Sequence, residues 1–274
     1  MKNIASLLLE DRPIIMGVLN VTPDSFSDGG EFFSLADAVE RANYLQQCGA
    51  DIIDIGGEST RPGAKSISSG EELHRVMPVL ERLRYESDVP ISVDTSKAVV
   101  MEKAIDCGVT LINDVYSLQK PGALDVVADS DVHVCLMHMK GSPQNMQDRP
   151  NYEDLLLDVR EFLRGRVVSC KKKGISSERL IIDIGFGFGK TPPGNLQLIN
   201  NLDFFKEIGL PIMVGASRKS TIREICGDQL AGSLAAALYA IKNGAKILRV
   251  HDVRETVSAL KVWESISKEC LIDW

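Results

Sequence analysis

Polar and ionisable residues follow one another at intervals along the chain, each just after a short apolar run: Asn20, Asp54 with Gly56-Gly57-Glu58, Asp94, Asn113-Asp114, His138, Asp183, Ser217-Arg218-Lys219-Ser220, and Arg249 with His251. A carboxylate set among apolar neighbours is costly unless it is partnered. Asp94 and Asp183 together with Asn113 supply acceptors and an amide suited to a planar, guanidine-like edge such as a pterin or guanine ring presents. A metal site is the competing reading, although Mg²⁺ would want more oxygen ligands nearby. Ser217 to Ser220 stands between an apolar run and a helix expected to begin near Thr221, and two adjacent cations at a helix start favour capture of an anion. Arg249 and His251, two residues apart at a strand end, point to the same side. Any one of these residues could be a loop cap or a satisfied core group. Eight such groups at equivalent positions are harder to explain that way.

Other patterns lead elsewhere. Gly185-Phe-Gly-Phe-Gly189-Lys190-Thr191 is one residue short of P-loop spacing, and Pro192-Pro193 follow where such a loop continues as a helix. Asp51 and Asp54 are three apart across one strand, which is not a glycosidase pair by spacing. His74, His133, His138 and His251 form no zinc-ligand pattern. The six cysteines are scattered with no C-x-x-C pair, as expected of free thiols in a reducing compartment.

The elements that position the polar groups are legible from the apolar runs Ile14–Leu19, Ile52–Ile55, Ile91–Val93, Thr110–Ile112, Val132–Met137, Leu180–Ile184, Ile212–Val214 and Ile247–Val250. They are near-continuously apolar and mostly β-branched, as strands buried on both faces of a parallel sheet should be. Helical stripes lie between them: Leu35, Ala38, Val39, Ala42 and Leu45 behind a Ser34 cap, then Leu73, Val76, Met77, Leu80 and Leu83, and later a long helix over Tyr152–Lys173 with Leu155, Val159, Phe162 and Leu163 inward. Gly49, Gly108, Gly174, Gly209 and Gly244 each stand where a left-handed helix end is wanted. Eight strands alternating with helices close into a barrel or lie open as a doubly wound sheet. A length of 274 residues and the absence of any composition break favour a single (β/α)₈ barrel (TIM barrel) domain over 1–274. In that fold the polar groups share the C-terminal mouth of the strands.

Composition narrows the partners. A net charge of −7 argues against a general nucleic-acid or anionic-membrane binder, while leaving room for a local basic pocket. The stretch from Met1 to Leu9 is too short and poorly flanked for a signal peptide, and no apolar run approaches the ~20 residues of a membrane helix. A cytoplasmic protein is expected.

Several stretches resemble the dihydropteroate synthase family of pterin-binding barrels. Met16-Gly-Val-Leu-Asn-Val-Thr-Pro-Asp-Ser-Phe-Ser-Asp-Gly-Gly30 and Asp51-Ile-Ile-Asp-Ile-Gly-Gly-Glu-Ser-Thr-Arg-Pro-Gly63 are long and specific. Asn113-Asp114, Met137-His-Met-Lys-Gly141, Gly187-Phe-Gly-Lys190, Ser217-Arg-Lys-Ser220 and Arg249-Val-His251 are shorter, and all occur in the family's order. The resemblance implies a homodimeric enzyme that joins 6-hydroxymethyl-7,8-dihydropterin diphosphate to 4-aminobenzoate, with Mg²⁺, in folate biosynthesis. It further implies that Asp94, Asn113, Met137, Asp183, Gly215, Lys219 and Arg249 hold the pterin, and that Asn20, Thr60, Arg61, Arg249 and His251 face the diphosphate, Asn20 also meeting Mg²⁺. Phe26, Pro62, Phe188 and Ser220 would line the aminobenzoate pocket, where sulfonamides bind in this family, and Asp28 would act from the first loop. The same likeness puts the dimer interface on the C-terminal helices. Lys219, Arg249, His251, Asp94, Asp28 and Arg61 are the implied catalytic set. Two departures are Ile184, where the family commonly has Pro, and Thr221-Ile-Arg-Glu-Ile225, in place of a Met-Ile-Gly type; both are expected beside the aminobenzoate pocket.

The implied chemistry is loss of pyrophosphate in an SN1-like step, with cations neutralising the leaving group and no strong general base. Two alternatives are a related barrel that passes a methyl group from methyltetrahydrofolate to a corrinoid protein, and an inactive paralogue serving as a partner subunit. The first does not account for the Thr-Pro-Asp-Ser-Phe-Ser-Asp loop; the second does not account for the presence of every carried-over residue.

Overall fold

The computed structural model describes residues 3–22, 34–148 and 150–271. Eight parallel strands close in sequence order: β1 (Ile14–Asn20), β2 (Ile52–Gly56), β3 (Ile91–Asp94), β4 (Leu111–Asp114), β5 (His133–Met137), β6 (Leu180–Asp183), β7 (Ile212–Val214) and β8 (Ile247–Val250). Closure is made where β1 pairs with β2 on one side, Met16 opposite Ile52, and with β8 on the other, Ile14 opposite Ile247. The expected barrel is the observed one.

Side chains alternate along each strand between two apolar compartments. Ile15, Leu19, Ile53, Val93, Ile112, Leu136, Ile182, Val214 and Leu248 pack outward under the helices. Ile14, Met16, Ile52, Leu111, Cys135, Ile181, Met213 and Ile247 fill the lower barrel interior. Helix α1 (Ile4–Leu9), capped by Asn3, closes that compartment with Ile4 and Leu7. Each such fully buried side chain contributes on the order of 2 kcal/mol. Because the bottom is sealed with hydrocarbon, the polar interior positions lie above it, towards the C-terminal strand ends.

The outer ring comprises α2 (Leu35–Gln47), α3 (Ser69–Glu86), α4 (Ala98–Asp106), α5 (Ala123–Ala128), α6 (Leu155–Lys172), α7 (Pro192–Asn200), α8 (Ser220–Cys226), α9 (Gln229–Lys242) and α10 (Val253–Lys268). Ser34 caps α2 as expected, and all five predicted glycine helix ends take positive φ. Most strand and helix ends shift by one or two residues from the expectation, and three places show why. Helix α6 starts at Leu155, not Tyr152, because Asp154 caps it and the Tyr152 hydroxyl instead donates to the Gly189 carbonyl at 2.7 Å. Strand β4 runs on to Asp114. Pro192 and Pro193 open α7 behind a Thr191 cap, since proline's missing N–H is tolerated in a first helical turn.

Candidate active site

The upper interior holds a buried ion network. Arg249, on β8, donates from Nε to Asp54 Oδ2 at 2.6 Å and from Nη2 to Asp94 Oδ2 at 2.8 Å. Asn113 Nδ2 donates to the same Asp54 oxygen at 3.2 Å. Strand register places these residues side by side, with Asp94 opposite Asn113 and Asp54 opposite Ser92. Burial alone would disfavour the Arg249 charge, but Asp54 and Asp94 outweigh it and raise its pKa. Asp94 is pushed up to about 7, chiefly by burial and secondarily by Asp54, with Arg249 opposing. Two buried carboxylates share one guanidinium, so Asp94 ionises reluctantly while the mouth is open to protons.

Asp183 completes the acidic side. Its Oδ1 accepts the Gly185 N–H at 2.7 Å, and burial raises its pKa against that bond and the nearby Lys219 charge. Lys219 caps α8 from the β7 side with extended backbone. Burial, and next the Arg249 charge, lower its pKa to about 8, with Arg61 adding to the same effect. Its Nζ lies 3.9 Å from the centroid of the Phe188 ring, a cation–π contact. Phe188 in turn packs with Met137, Val115, Met139 and Met146. Gly215 lies beside Arg249, where a Cβ would stand 3.8 Å from the Arg249 side chain.

Asn20 ends β1 with its Oδ1 beside Gly56, near enough that a Cβ on Gly56 would lie 3.6 Å from that oxygen and 3.7 Å from the Asp94 Cβ. His251 Nδ1 contacts Ser217 Oγ at 3.1 Å. Burial, then the Arg249, Arg218 and Lys219 charges, lower its pKa to about 3, so it faces the mouth as a neutral imidazole and not as a cation. Thr60 and Asp94 line a common cavity of about 680 Å³, on a loop that also carries the exposed Arg61 and Pro62. The loop is tied down by a part-buried cluster: Glu58 accepts the Ile67 N–H at 2.8 Å, Lys97 reaches Glu58 at 2.7 Å and also the buried Glu72, and the Gly63 N–H donates to the Pro143 carbonyl at 2.9 Å. Ser220 is exposed beside Lys219 in the first turn of α8. Phe26 and Asp28 lie outside the described residues.

Some strand-end polar groups do not face the mouth, for a reason the two-residue period already contains. Asn113 points in, so Asp114 points out, where it accepts the Tyr116 and Leu118 N–H groups. Met137 points in, so His138 packs edge-on against Phe162 behind the barrel. Arg218, at φ +57°, swings away from Lys219 into an ion pair with Asp252, so the two cations do not act together on one anion. Lys190 is buried against His138 Nδ1 and the carbonyls of His138, Gly185 and Phe188, where it holds the loop and cannot reach a phosphate. Asp51 sits below, paired with Arg12 at 2.6 Å. Ile184 is buried in the outer core. Asp54 is among the strand-end groups expected at the mouth, but its role as the partner of Arg249 and Asn113 was not; its parity with Ile52 and Gly56 on β2 was the available signal.

Comparison with known proteins agrees with this geometry. The pterin binding enzyme family matches residues 16–251. Dihydropteroate synthase of Haemophilus influenzae is 51% identical over 257 residues, covering 92% of this chain and 94% of that protein. The structure of the Xanthomonas albilineans dihydropteroate synthase with 4-aminobenzoic acid superposes with a TM-score of 0.88 at 49% identity, covering 94% of each chain. That of the Burkholderia cenocepacia enzyme complexed with 7,8-dihydropteroate gives 0.86 at 43% identity, covering 94% of this chain and 93% of that one. The chain belongs to the family of pterin binding enzymes, within its dihydropteroate synthase branch.

Proposed function

We infer that this mouth joins 6-hydroxymethyl-7,8-dihydropterin diphosphate to 4-aminobenzoate, giving 7,8-dihydropteroate and pyrophosphate. The observation that carries the reading is the convergence of Asp54, Asp94, Asn113 and Arg249 in one hydrogen-bonded network, with Asp183 and Lys219 close enough to share its field. Acceptors from Asp94 and Asp183 and the Asn113 amide suit the amino-pyrimidinone edge of a pterin, with Met137 and Gly215 beside it. Arg249, Arg61, Thr60 and the neutral His251 offer donors to the diphosphate. Phe188, Pro62 and Ser220 border the side on which the aromatic amine would enter.

In the reaction the bond between the exocyclic methylene and the diphosphate oxygen breaks with its electron pair, leaving a cationic centre that the electron-rich ring delocalises. The amine nitrogen then bonds to the methylene and gives up one proton to solvent or pyrophosphate. An aromatic amine is neutral at pH 7, so the residues orient the ring and hold donors where negative charge develops.

Among the described residues no group of three or more His, Cys, Asp or Glu could hold a metal unaided. Mg²⁺ would be held by the Asn20 carboxamide oxygen together with substrate phosphate oxygens, as the ion commonly takes few ligands from protein and keeps several waters. When bound it would offset part of the leaving group's charge. The six free cysteines support a reducing, cytoplasmic setting. A homodimer is the proposed assembly. Its support is a groove of about 750 Å³ between α7, α8 and α9 that exposes Leu196, Ile225 and Tyr239.

The test is to mix the pterin diphosphate, 4-aminobenzoate and Mg²⁺ and follow pyrophosphate and dihydropteroate. Both should appear in equal amounts, and Lys219→Ala or Asp183→Ala should abolish useful turnover while leaving the melting transition in place. Near-normal product from either variant would remove these roles.

A further inference from the structure

Asn195 is a polar side chain in a place where a helix facing a barrel would ordinarily bury a hydrocarbon. It lies in α7, is only 1% exposed, and has both ends of its carboxamide occupied. Its Oδ1 accepts the Gly187 N–H at 2.7 Å, and its Nδ2 donates to Thr221 Oγ1 at 2.9 Å. Burying an amide is unfavourable without such bonds, so the residue is held at this position by the two groups it joins.

Those two groups belong to different loops of the mouth. Gly187 immediately precedes Phe188, and Thr221 follows Lys219 and Ser220 in the first turn of α8. The loops already touch where Lys219 Nζ lies over the Phe188 ring. They also touch where Gly187, at φ +82°, comes so close that a Cβ would stand 3.1 Å from Lys219 Cδ. Asn195 is a third, rigid tie between them, anchored on a helix. The Thr221 departure noted in the sequence thereby acquires a partner, its buried hydroxyl serving as the far end of the tie.

We propose that Asn195, acting through Thr221, is a positioning residue that sets the spacing between Phe188 and the Lys219-Ser220 turn, and so the width of the slot that admits the aromatic amine. The proposal rests on the reaction assigned above. A slot one ring thick aims the amine nitrogen at the methylene, and a misplacement of about 1 Å can cost on the order of 10²-fold in rate. On the pterin side Asp54, Asp94, Asn113 and Arg249 are joined to one another on other strands, so the tie reaches that side only through Lys219.

The experiment compares Thr221→Val, which keeps the shape but removes the hydroxyl, with Thr221→Ser, which restores it, and adds Asn195→Leu. Steady-state rates are measured with each substrate varied in turn, and melting temperatures are recorded. Losing one buried hydrogen bond should raise the KM for 4-aminobenzoate about tenfold in Thr221→Val, with a clearly smaller rise in the KM for the pterin diphosphate, which feels the change only through Lys219. Thr221→Ser should return towards wild type, and Asn195→Leu, which loses both bonds, should exceed Thr221→Val. A purely structural role would lower the melting temperature and the active fraction, moving kcat and leaving both KM values. Equal rises in both KM values, no change in either, or failure of Thr221→Ser to recover would overturn the proposal. An inactive wild-type chain would overturn the reaction itself and this proposal with it, whereas an active wild type with unaffected variants removes only the proposal.

Discussion

Replacing Asp54 by Asn removes one charge from beneath the site while preserving its shape. Asp54 is fully buried and accepts from both Arg249 Nε at 2.6 Å and Asn113 Nδ2 at 3.2 Å. An asparagine oxygen can still accept one of these bonds, but it cannot balance the guanidinium. Breaking a buried ion pair costs about 3–5 kcal/mol, and Arg249 retains Asp94, so a loss of about 3 kcal/mol is expected. For a chain of this size that lowers Tm by roughly 5 °C. If Arg249 and Asn113 must be held in place for the transition state, a similar loss there reduces kcat/KM by about 10²-fold. Asp51→Asn is the control: it removes one of the two carboxylates paired with Arg12 at the sealed bottom of the barrel and should lower Tm without changing kcat/KM. Thermal melts and initial rates of pyrophosphate release decide the matter. An Asp54→Asn enzyme that is destabilised but retains wild-type kcat/KM would refute the claim that the network orients the site.

Other perturbations have equally definite outcomes. In the proposed binding mode the Asp94 carboxyl, raised to about 7, has to be ionised to accept from the pterin, and the Lys219 ammonium, lowered to about 8, has to stay protonated. Accordingly kcat/KM for the pterin diphosphate should rise with pH through about 7 and fall again above about 8; a flat profile between pH 6 and 9 would contradict both assignments. Lys190→Met leaves three main-chain carbonyls and His138 Nδ1 without their donor, and should lower Tm more than Asp51→Asn does, with the KM for 4-aminobenzoate raised more than that for the pterin diphosphate, since the loop bearing Phe188 loosens. Lys97→Met unties Glu58 and Glu72 and should raise the KM for the pterin diphosphate several-fold, because the loop carrying Thr60 and Arg61 loses its anchor. Unchanged kinetics in that variant would show that the loop is held by its own main chain.

Much of this architecture is written in the chain at short range. Near-continuous β-branched runs gave all eight strands, because a strand buried on both faces has few polar positions. Polar residues at strand ends gave the mouth. The shortfalls are where a side chain's direction, and not its type, decides its role. Asp114 and His138 looked equivalent to Asn113 and Asp94, yet strand alternation turns them outward. Arg218 looked like a second cation beside Lys219, but its left-handed backbone sends it to Asp252, a residue 34 positions away. Asp54, Lys97 and Asn195 act through partners distant in sequence, a kind of contact that no local pattern encodes. The resemblance named the reaction; the network explains why these positions hold it.

A crystal structure of the chain with the pterin diphosphate bound tests the central claim most directly. The account predicts the ring lying over the Arg249 network, its amino-pyrimidinone edge on Asp94, Asn113 and Asp183, and the diphosphate turned towards Asn20, Arg61 and His251. Density for the ring outside the barrel mouth, or with Asp183 and Lys219 out of reach of it, would contradict the account.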